Sequence, residues 1–154
     1  MATIPTCIEC NNSFSTVEEY MGQFVRSLAK RTRQTDFDAP PDFDAIRTFV
    51  IKNAKAHLFY ENGEPRFEDP STVGFAPLYE MTNESLASFL EGSGPFQPWC
   101  EVGSRWNTRV ATGDEFDSHG FLVVQEGTYR FRIEAGGLGV SSILRDRFVS
   151  EVYW

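Results

Sequence analysis

The sequence has few cysteines and no long apolar run, and each shortage excludes a class of protein. Three cysteines among 154 residues cannot all pair within the chain, and Cys7 and Cys10 lie far from Cys100. We therefore expect reduced thiols rather than a disulfide framework. The longest apolar runs, such as residues 121–124, are much shorter than the roughly 20 residues of a membrane span. No transmembrane segment and no membrane partner are expected.

The beginning of the chain also lacks the features of a secretory signal. MATIPTCIEC has neither a basic start nor an apolar stretch, and a signal peptide needs both. We expect an intracellular or virion-borne protein without a signal peptide.

Positive charge is scarce. The chain has 14 lysines and arginines against 22 aspartates and glutamates, which gives a formal net charge of −8. Duplex binding depends on neutralising phosphates with basic side chains, so direct nucleic-acid binding is not expected. Residues 34–98 hold 11 acidic and 4 basic residues, and this middle part of the chain contributes most of the negative charge.

Motifs for catalysis are missing. His57 and His119 belong to no recognisable catalytic motif, and no G-x-S-x-G is present. Residues 136–139 are rich in glycine but lack the Lys-Ser/Thr of a phosphate-binding loop. We therefore name no catalytic residue, expect no cofactor and favour a protein that is not an enzyme.

Metal motifs are incomplete. Cys7 and Cys10 have the spacing of two zinc ligands, but zinc needs four, and the remaining cysteine and both histidines are single and distant. Residues 114–119 crowd three carboxylates and a histidine, which is a possible site for a hard cation. A solvated turn is the favoured interpretation of this segment, and we expect no metal.

One stretch has strong helical periodicity. Apolar residues recur at helical spacing from Val17 to Ala29, behind a capping box and ahead of basic residues. This pattern predicts a helix from about Val17 to about Arg31. Residues 1–14 are interpreted as an extended N-terminal arm, and residues 15–154 as one globular domain.

Residues 119–133, HGFLVVQEGTYRFRI, predict a hairpin at the centre of a sheet. Tyr129, Phe131 and Ile133 alternate with Arg130 and Arg132, and a short glycine-containing connection precedes them. Because alternate side chains of a strand point to opposite faces, we expect the aromatic side chains to be buried and the two arginines to lie on an exposed face.

The remaining elements follow from shorter signals. Two prolines predict a loop over residues 36–44, Asn62-Gly63 predicts the turn of a second hairpin within residues 57–67, and Gly and Pro predict a loop over residues 91–98. We expect strands over residues 46–51, 99–110 (one or two strands) and 147–154, a short helix over residues 83–90 capped by Asn83 or Thr82, and irregular chain over residues 69–77.

The exposed face of the hairpin is the predicted binding surface. Arginine and aromatic side chains dominate protein interfaces, and another predicted strand contains three more of them. The alternative is a solvated face with ion pairs to Glu134 or Glu151. The candidate binding residues are Arg105, Trp106, Arg109, Arg130 and Arg132.

The hairpin resembles part of the jelly-roll heads of the complement C1q and tumour-necrosis-factor type, in which a G-x-F-x-V segment, a turn and a G-T-Y-x-F segment follow one another. The matching residues are Gly120, Phe121, Val123, Gly127, Thr128, Tyr129 and Phe131. Residues 20–32, YMGQFVRSLAKRT, are similar to the segment that opens the jelly roll of picorna-like capsid proteins. Both resemblances imply β-sandwiches that assemble.

These patterns together predict an α+β or mainly-β domain, with an N-terminal amphipathic helix packed on an antiparallel sheet or a small β-sandwich. The expected function is that of a non-catalytic structural or attachment module in a larger assembly, such as a virion, phage particle or oligomeric head. It would act through a protein partner or self-association.

Two alternatives stay open. The first is an acidic inhibitor or immunity-type protein whose middle part, including Asp36, Asp38, Asp42 and Asp44, covers a basic partner such as a nuclease. The second is a small-ligand or carbohydrate-binding domain that uses Trp99 and Trp106.

Overall fold

The computed structural model describes residues 8–28, 40–92, 105–106, 109–134 and 136–154. In chain order, the helices are α1 (Ile8–Ser27), α2 (Phe43–Asn62) and α3 (Asn83–Glu91), and short 3-10 turns cover Leu78–Glu80 and Gly113–Glu115. The strands are β1 (Thr72–Pro77), β2 (Arg105–Trp106), β3 (Arg109–Val110), β4 (Leu122–Gln125), β5 (Tyr129–Ile133), β6 (Gly139–Leu144) and β7 (Phe148–Tyr153).

Helix α2 replaces the strand and the hairpin that the sequence predicted over residues 46–51 and 57–67. The Asp42 side chain accepts a hydrogen bond from the Ala45 amide at the N-terminus of α2, as an N-cap does. Gly63 ends the helix with a φ of 75°. The side chains buried along one stripe of α2 are Ile46, Val50, Ala54 and Leu58. Both predictions for this segment are therefore wrong.

Helix α1 begins earlier and ends earlier than expected. Residues 8–14 are its first turns, so the extended conformation predicted for them is wrong, and Phe14 stacks on Phe49 of α2 with ring centroids 6.2 Å apart. Phe24 meets Phe148 of β7 edge to face at 5.9 Å. The Arg147 side chain donates to the carbonyls of Arg26 and Leu28 and so fixes the end of α1 against the sheet. Residues 1–7 and 29–39 lie outside the described residues.

Five strands form one antiparallel sheet in the order β1-β7-β6-β5-β4. The β4–β5 hairpin and the last strand, β7, confirm two predictions. Strand β6 follows a glycine-rich turn where no strand was predicted, and β1 lies where irregular chain was expected. With three helices and this sheet, the α+β alternative is confirmed. Among the described residues, the strands outside this sheet are the β2–β3 pair, so the sandwich is not confirmed.

The sheet separates two apolar clusters. On one face, which we call the α1/α2 side, helix side chains pack on Leu122, Phe131, Val140, Phe148 and Val152. On the opposite face, the α3 side, the smaller cluster is Phe89, Phe121, Ile143 and Val149. Helix α3, whose N-cap is Thr82, one of the two predicted candidates, is short and leaves part of this face uncovered by the described residues. No described helix is long and apolar enough to cross a membrane.

Candidate binding face

A row of paired residues crosses the α3 side of the sheet and includes three polar side chains. Arg132 on β5 is paired with Ser141 on β6, Ser141 with Glu151 on β7, and Glu151 with Gly74 on β1. Since directly opposed residues of an antiparallel sheet project to the same face, the row brings a guanidinium, a hydroxyl and a carboxylate together on one surface.

Arg132 is buried in this row, with 2% of its surface exposed. Its Nε and Nη2 donate to Glu134 Oε1 at 3.0 and 2.8 Å, and its remaining donors reach the carbonyls of Phe89, Leu90 and His119. The guanidinium also lies 4.4 Å from the centroid of the Phe121 ring. All five N–H groups of the side chain are used within the protein. The exposed position predicted for Arg132 is therefore wrong, because α3 covers it.

Arg130 lies on the same face, as predicted, and a third of its side chain is exposed. It forms ion pairs with Asp117 at 3.0 Å and with Asp146 at 3.2 Å. Asp117 also accepts from the amides of His119 and Phe121, so it organises the turn that precedes β4. The predicted alternation of the arginines and aromatic residues is confirmed, whereas both arginines are bound to carboxylates of their own chain.

Two further carboxylates lie beside Arg132. Glu134 is buried, binds Arg132 and accepts from the Ser141 hydroxyl at 2.5 Å. Glu151 is half-buried, and its pKa is raised above the usual value, first by burial and then by repulsion from Glu134, while Arg132 acts in the opposite direction. Of the ion pairs predicted as an alternative, the one with Glu134 is present. The sequence signal that could have identified Glu151 as a site residue is a charged residue inside a strand of apolar neighbours.

A cleft opens over β1 and β7 beside α3, and we call it the Glu151 cleft. Its volume is about 350 Å³. Gly74, Ala76 and Glu151 contribute to the floor, while Ser85 and Ser88 of α3 and Tyr153 of β7 line the sides. A Cβ atom on Gly74 would lie 3.2 Å from Glu151 Cγ, so the absence of a side chain at residue 74 makes room for this carboxylate.

A second cleft, which we call the acidic groove, lies over the β4–β5 hairpin. Its volume is about 620 Å³. The charged residues that line it are Asp114, Glu115, Asp117, Glu126, Asp146 and Arg130. Carboxylates thus outnumber guanidinium groups around both clefts. The carboxylates of the acidic groove come from the C-terminal third of the chain, whereas the sequence predicted that its acidic middle part would bind a basic partner. Asp36 and Asp38 lie outside the described residues, and Asp42 caps α2.

A different polar group lies on the α1/α2 side. The Tyr129 hydroxyl accepts from Asn53 Nδ2 at 2.7 Å and contacts His57 Nε2 at 2.5 Å, and the imidazole stacks on Phe131 with centroids 3.7 Å apart. Burial lowers the pKa of His57 to about 3 and raises the pKa of Tyr129. The contact between His57 and Tyr129 is therefore a hydrogen bond between two uncharged groups.

His57 and His119 do not share a site. His57 packs against aromatic residues of the α1/α2 side, whereas His119 is an exposed turn residue whose carbonyl contacts Arg132 on the α3 side. No group of three metal-ligating side chains occurs among the described residues, residues 114–119 included. Cys7 and Cys100 lie outside them.

The other predicted binding residues remain a prediction. Arg105 and Trp106 form β2 and Arg109 belongs to β3, which confirms strands in this region. Their side chains, and all of Trp99, lie outside the described part of the chain. Comparison with known proteins adds no functional assignment, since no protein-family model, no curated protein and no solved structure matches this chain.

Proposed function

We propose that the protein is a non-catalytic binding module that holds a basic protein partner against the α3 side of its sheet. The observation that carries this proposal is that five carboxylates line the acidic groove and one lines the Glu151 cleft. Arg130 and Arg132, the two arginines on this side of β5, are already paired with carboxylates of the chain. The proposal corresponds to the acidic inhibitor or immunity-type alternative, with the binding residues moved from the middle of the sequence to its C-terminal strands.

Electrostatics supports this choice of partner. The two clefts and the buried cluster between them contain seven acidic residues, Asp114, Glu115, Asp117, Glu126, Glu134, Asp146 and Glu151, against Arg130 and Arg132. A concave surface of one charge sign attracts ligands of the opposite sign and speeds their association. The chain as a whole, at −8, adds to this attraction.

Fluorescence anisotropy with a labelled peptide rich in arginine and lysine tests the proposal. We expect binding that weakens as NaCl rises from about 0.05 to about 0.5 M, because added salt shortens the screening length. Asp114→Asn combined with Glu126→Gln removes two exposed carboxylates of the acidic groove that carry no structural hydrogen bond among the described residues. This variant should weaken peptide binding by about fivefold.

The matched control is Glu18→Gln combined with Glu19→Gln, which makes the same change in net charge on the exposed surface of α1. It should leave peptide affinity nearly unchanged. Equal losses in the two double variants would mean that net charge alone attracts the peptide, and the proposed binding face would then be rejected.

A role in assembly is the second candidate, and one observation favours it. Phe67 is 84% exposed and Leu138 is 46% exposed. Trp154 connects the two segments, because its indole donates to the carbonyl of Glu68, the residue after Phe67, and its amide donates to the Leu138 carbonyl. Clustered apolar exposure marks contact surfaces. Sedimentation should then show self-association that Phe67→Ser weakens, whereas a monomer at high concentration would count against this role.

A further inference from the structure

The Glu151 cleft is open because small side chains face one another across it. Gly74 and Ala76 lie on the α3 side of β1, and α3 presents Ser85 and Ser88 toward them. Larger residues at these four positions would close the space between the strand and the helix. Its volume of about 350 Å³ falls within the range of small-ligand sites.

The Glu151 carboxylate has no hydrogen bond or ion pair with the described residues. The nearest cation in the row, Arg132, has no donor left for it, because its five N–H groups reach Glu134 and three carbonyls. Burying a carboxylate without a counter-ion is costly. A cationic group entering the cleft would supply the missing partner.

We propose that the Glu151 cleft receives one arginine side chain of the basic partner, with its guanidinium paired to the Glu151 carboxylate. The identity of the occupant as part of a basic protein rests on the proposed function. Arginine suits the cleft better than lysine, because its guanidinium is planar and more weakly hydrated and so tolerates partial burial. The Tyr153 ring offers an aromatic surface for it. The Ser88 hydroxyl, and the second lone pair of the Ser85 hydroxyl, which is already bonded to Thr82, are acceptors for its remaining N–H groups.

Amide chemical shifts of the whole, isotope-labelled chain test this assignment directly. Blocked arginine, N-acetylarginine methylamide, should shift the amides of residues 74–76, 85–88 and 149–153. The citrulline analogue has nearly the same shape without the charge and should bind at least about tenfold more weakly. Equal binding of the citrulline analogue, tighter binding of blocked lysine, or shifts confined to other residues would overturn the proposal.

Two variants sharpen the test. Glu151→Gln should weaken the binding of blocked arginine by about tenfold while the protein stays folded by circular dichroism, since the carboxylate forms no hydrogen bond with the described residues. Gly74→Ala places a methyl group 3.2 Å from Glu151 Cγ. It should weaken the binding of blocked arginine severalfold, because the methyl group narrows the floor of the cleft. Glu84→Gln, an exposed position on α3, is the matched control and should bind as the unaltered chain does. Full affinity in Glu151→Gln would reject the proposed ion pair.

The cleft assignment and the proposed function fail in different ways. If blocked arginine binds in the cleft but the basic peptide is insensitive to the Asp114 and Glu126 changes, the wider binding face is wrong and the cleft assignment stands. If those changes weaken the peptide and Glu151→Gln affects neither ligand, the wider face stands and the cleft assignment is wrong.

Discussion

The two sides of the sheet use polar residues in opposite ways. On the α1/α2 side, the uncharged side chains of Asn53 and His57 bind the Tyr129 hydroxyl, and all three residues are half-buried beside the apolar core. On the α3 side, Arg132 and Glu134 are charged and buried, and Glu151 faces a cleft. A satisfied neutral network costs little to bury, whereas a charged one depends on every partner being present. The first side therefore buries only neutral polar groups, whereas the second side buries an ion pair whose stability depends on all of its partners.

Within the α3 side, the two arginines of β5 differ in burial. Arg132 is buried and fully bonded, while Arg130 is one-third exposed and pairs with two aspartates near the surface. The two arginines lie two residues apart on the same face of β5. A difference in stability between their alanine variants therefore reflects their burial rather than their position along the strand.

Arg132→Ala should have the largest effect on stability. The substitution leaves Glu134 buried without its counter-ion and leaves three backbone carbonyls without their donor, so we expect a loss of about 3–5 kcal/mol in the free energy of unfolding. Urea unfolding followed by circular dichroism measures it. Arg130→Ala is the control and should lose no more than about 1 kcal/mol, because its ion pairs are partly solvated. Similar losses in the two variants would contradict the contrast between buried and surface pairs.

Gly92→Ala should have the next largest effect. Gly92 has a φ of 78°, and a Cβ atom there would lie 2.7 Å from Arg132 Nη2 and 2.9 Å from Glu134 Oε2. Arg132 is held by five hydrogen bonds and cannot move aside cheaply, so backbone strain and overlap should together destabilise the protein by about 2–3 kcal/mol.

Gly63→Ala is the control for this substitution. Gly63 caps α2 with a φ of 75°, and nothing lies within 4 Å of an added Cβ atom. Thermal unfolding should show a loss of about 1 kcal/mol from the left-handed backbone alone. The difference between the two glycine variants reports the crowding around the buried ion pair together with the greater backbone strain at Gly92, whose ψ of −179° differs from the ψ of 0° at Gly63. An equal loss in both variants would contradict the predicted crowding.

Acid should affect the α1/α2 side through His57. Its pKa is about 3 in the folded protein and about 6.5 in the unfolded chain, so between these values the unfolded state binds more protons. Stability therefore falls as the pH drops from about 6.5 toward 3, by up to about 1.4 kcal/mol per pH unit.

Urea unfolding of two histidine variants across this pH range separates the contribution of His57 to the free energy of unfolding from that of the carboxylates. His57→Gln should flatten the profile by removing the proton that the unfolded chain takes up at this position. His119→Gln, which changes an exposed turn residue, should leave the profile as it is. A profile that does not change in His57→Gln would show that the imidazole is not kept neutral by burial.

Helix α2 shows how far local patterns predict this fold. Residues 46–51 are rich in β-branched and aromatic side chains, which favours a strand, yet Ile46, Val50, Ala54 and Leu58 recur at a helical spacing of four. Asn62-Gly63 is a hairpin signal because Gly63 adopts positive φ, and a helix C-cap demands the same backbone conformation. The dipeptide therefore cannot distinguish a turn between strands from the end of a helix.

The candidate site was predicted in part. Alternation in residues 129–133 correctly placed Arg130 and Arg132 on one face of a strand, but alternation assigns a face without saying what covers it. The covering element is α3, which was itself predicted, while its position over Arg132 depends on packing against Phe121, Ile143 and Val149. A charged residue between apolar neighbours distinguishes Glu151 in the sequence, but its position in a cleft depends on Gly74, which lies far away in the sequence.

The sequence by itself determined the helical stripe of α1, the short capped helix α3, the β4–β5 hairpin and the acidic character of the chain, since each depends on neighbouring residues or on composition. Only the tertiary structure decided which face of the sheet is covered by α3, which arginine is buried and which carboxylate lies in a cleft without a hydrogen bond to the described residues. Those properties depend on residues brought together from distant parts of the chain, and no local pattern contains that information.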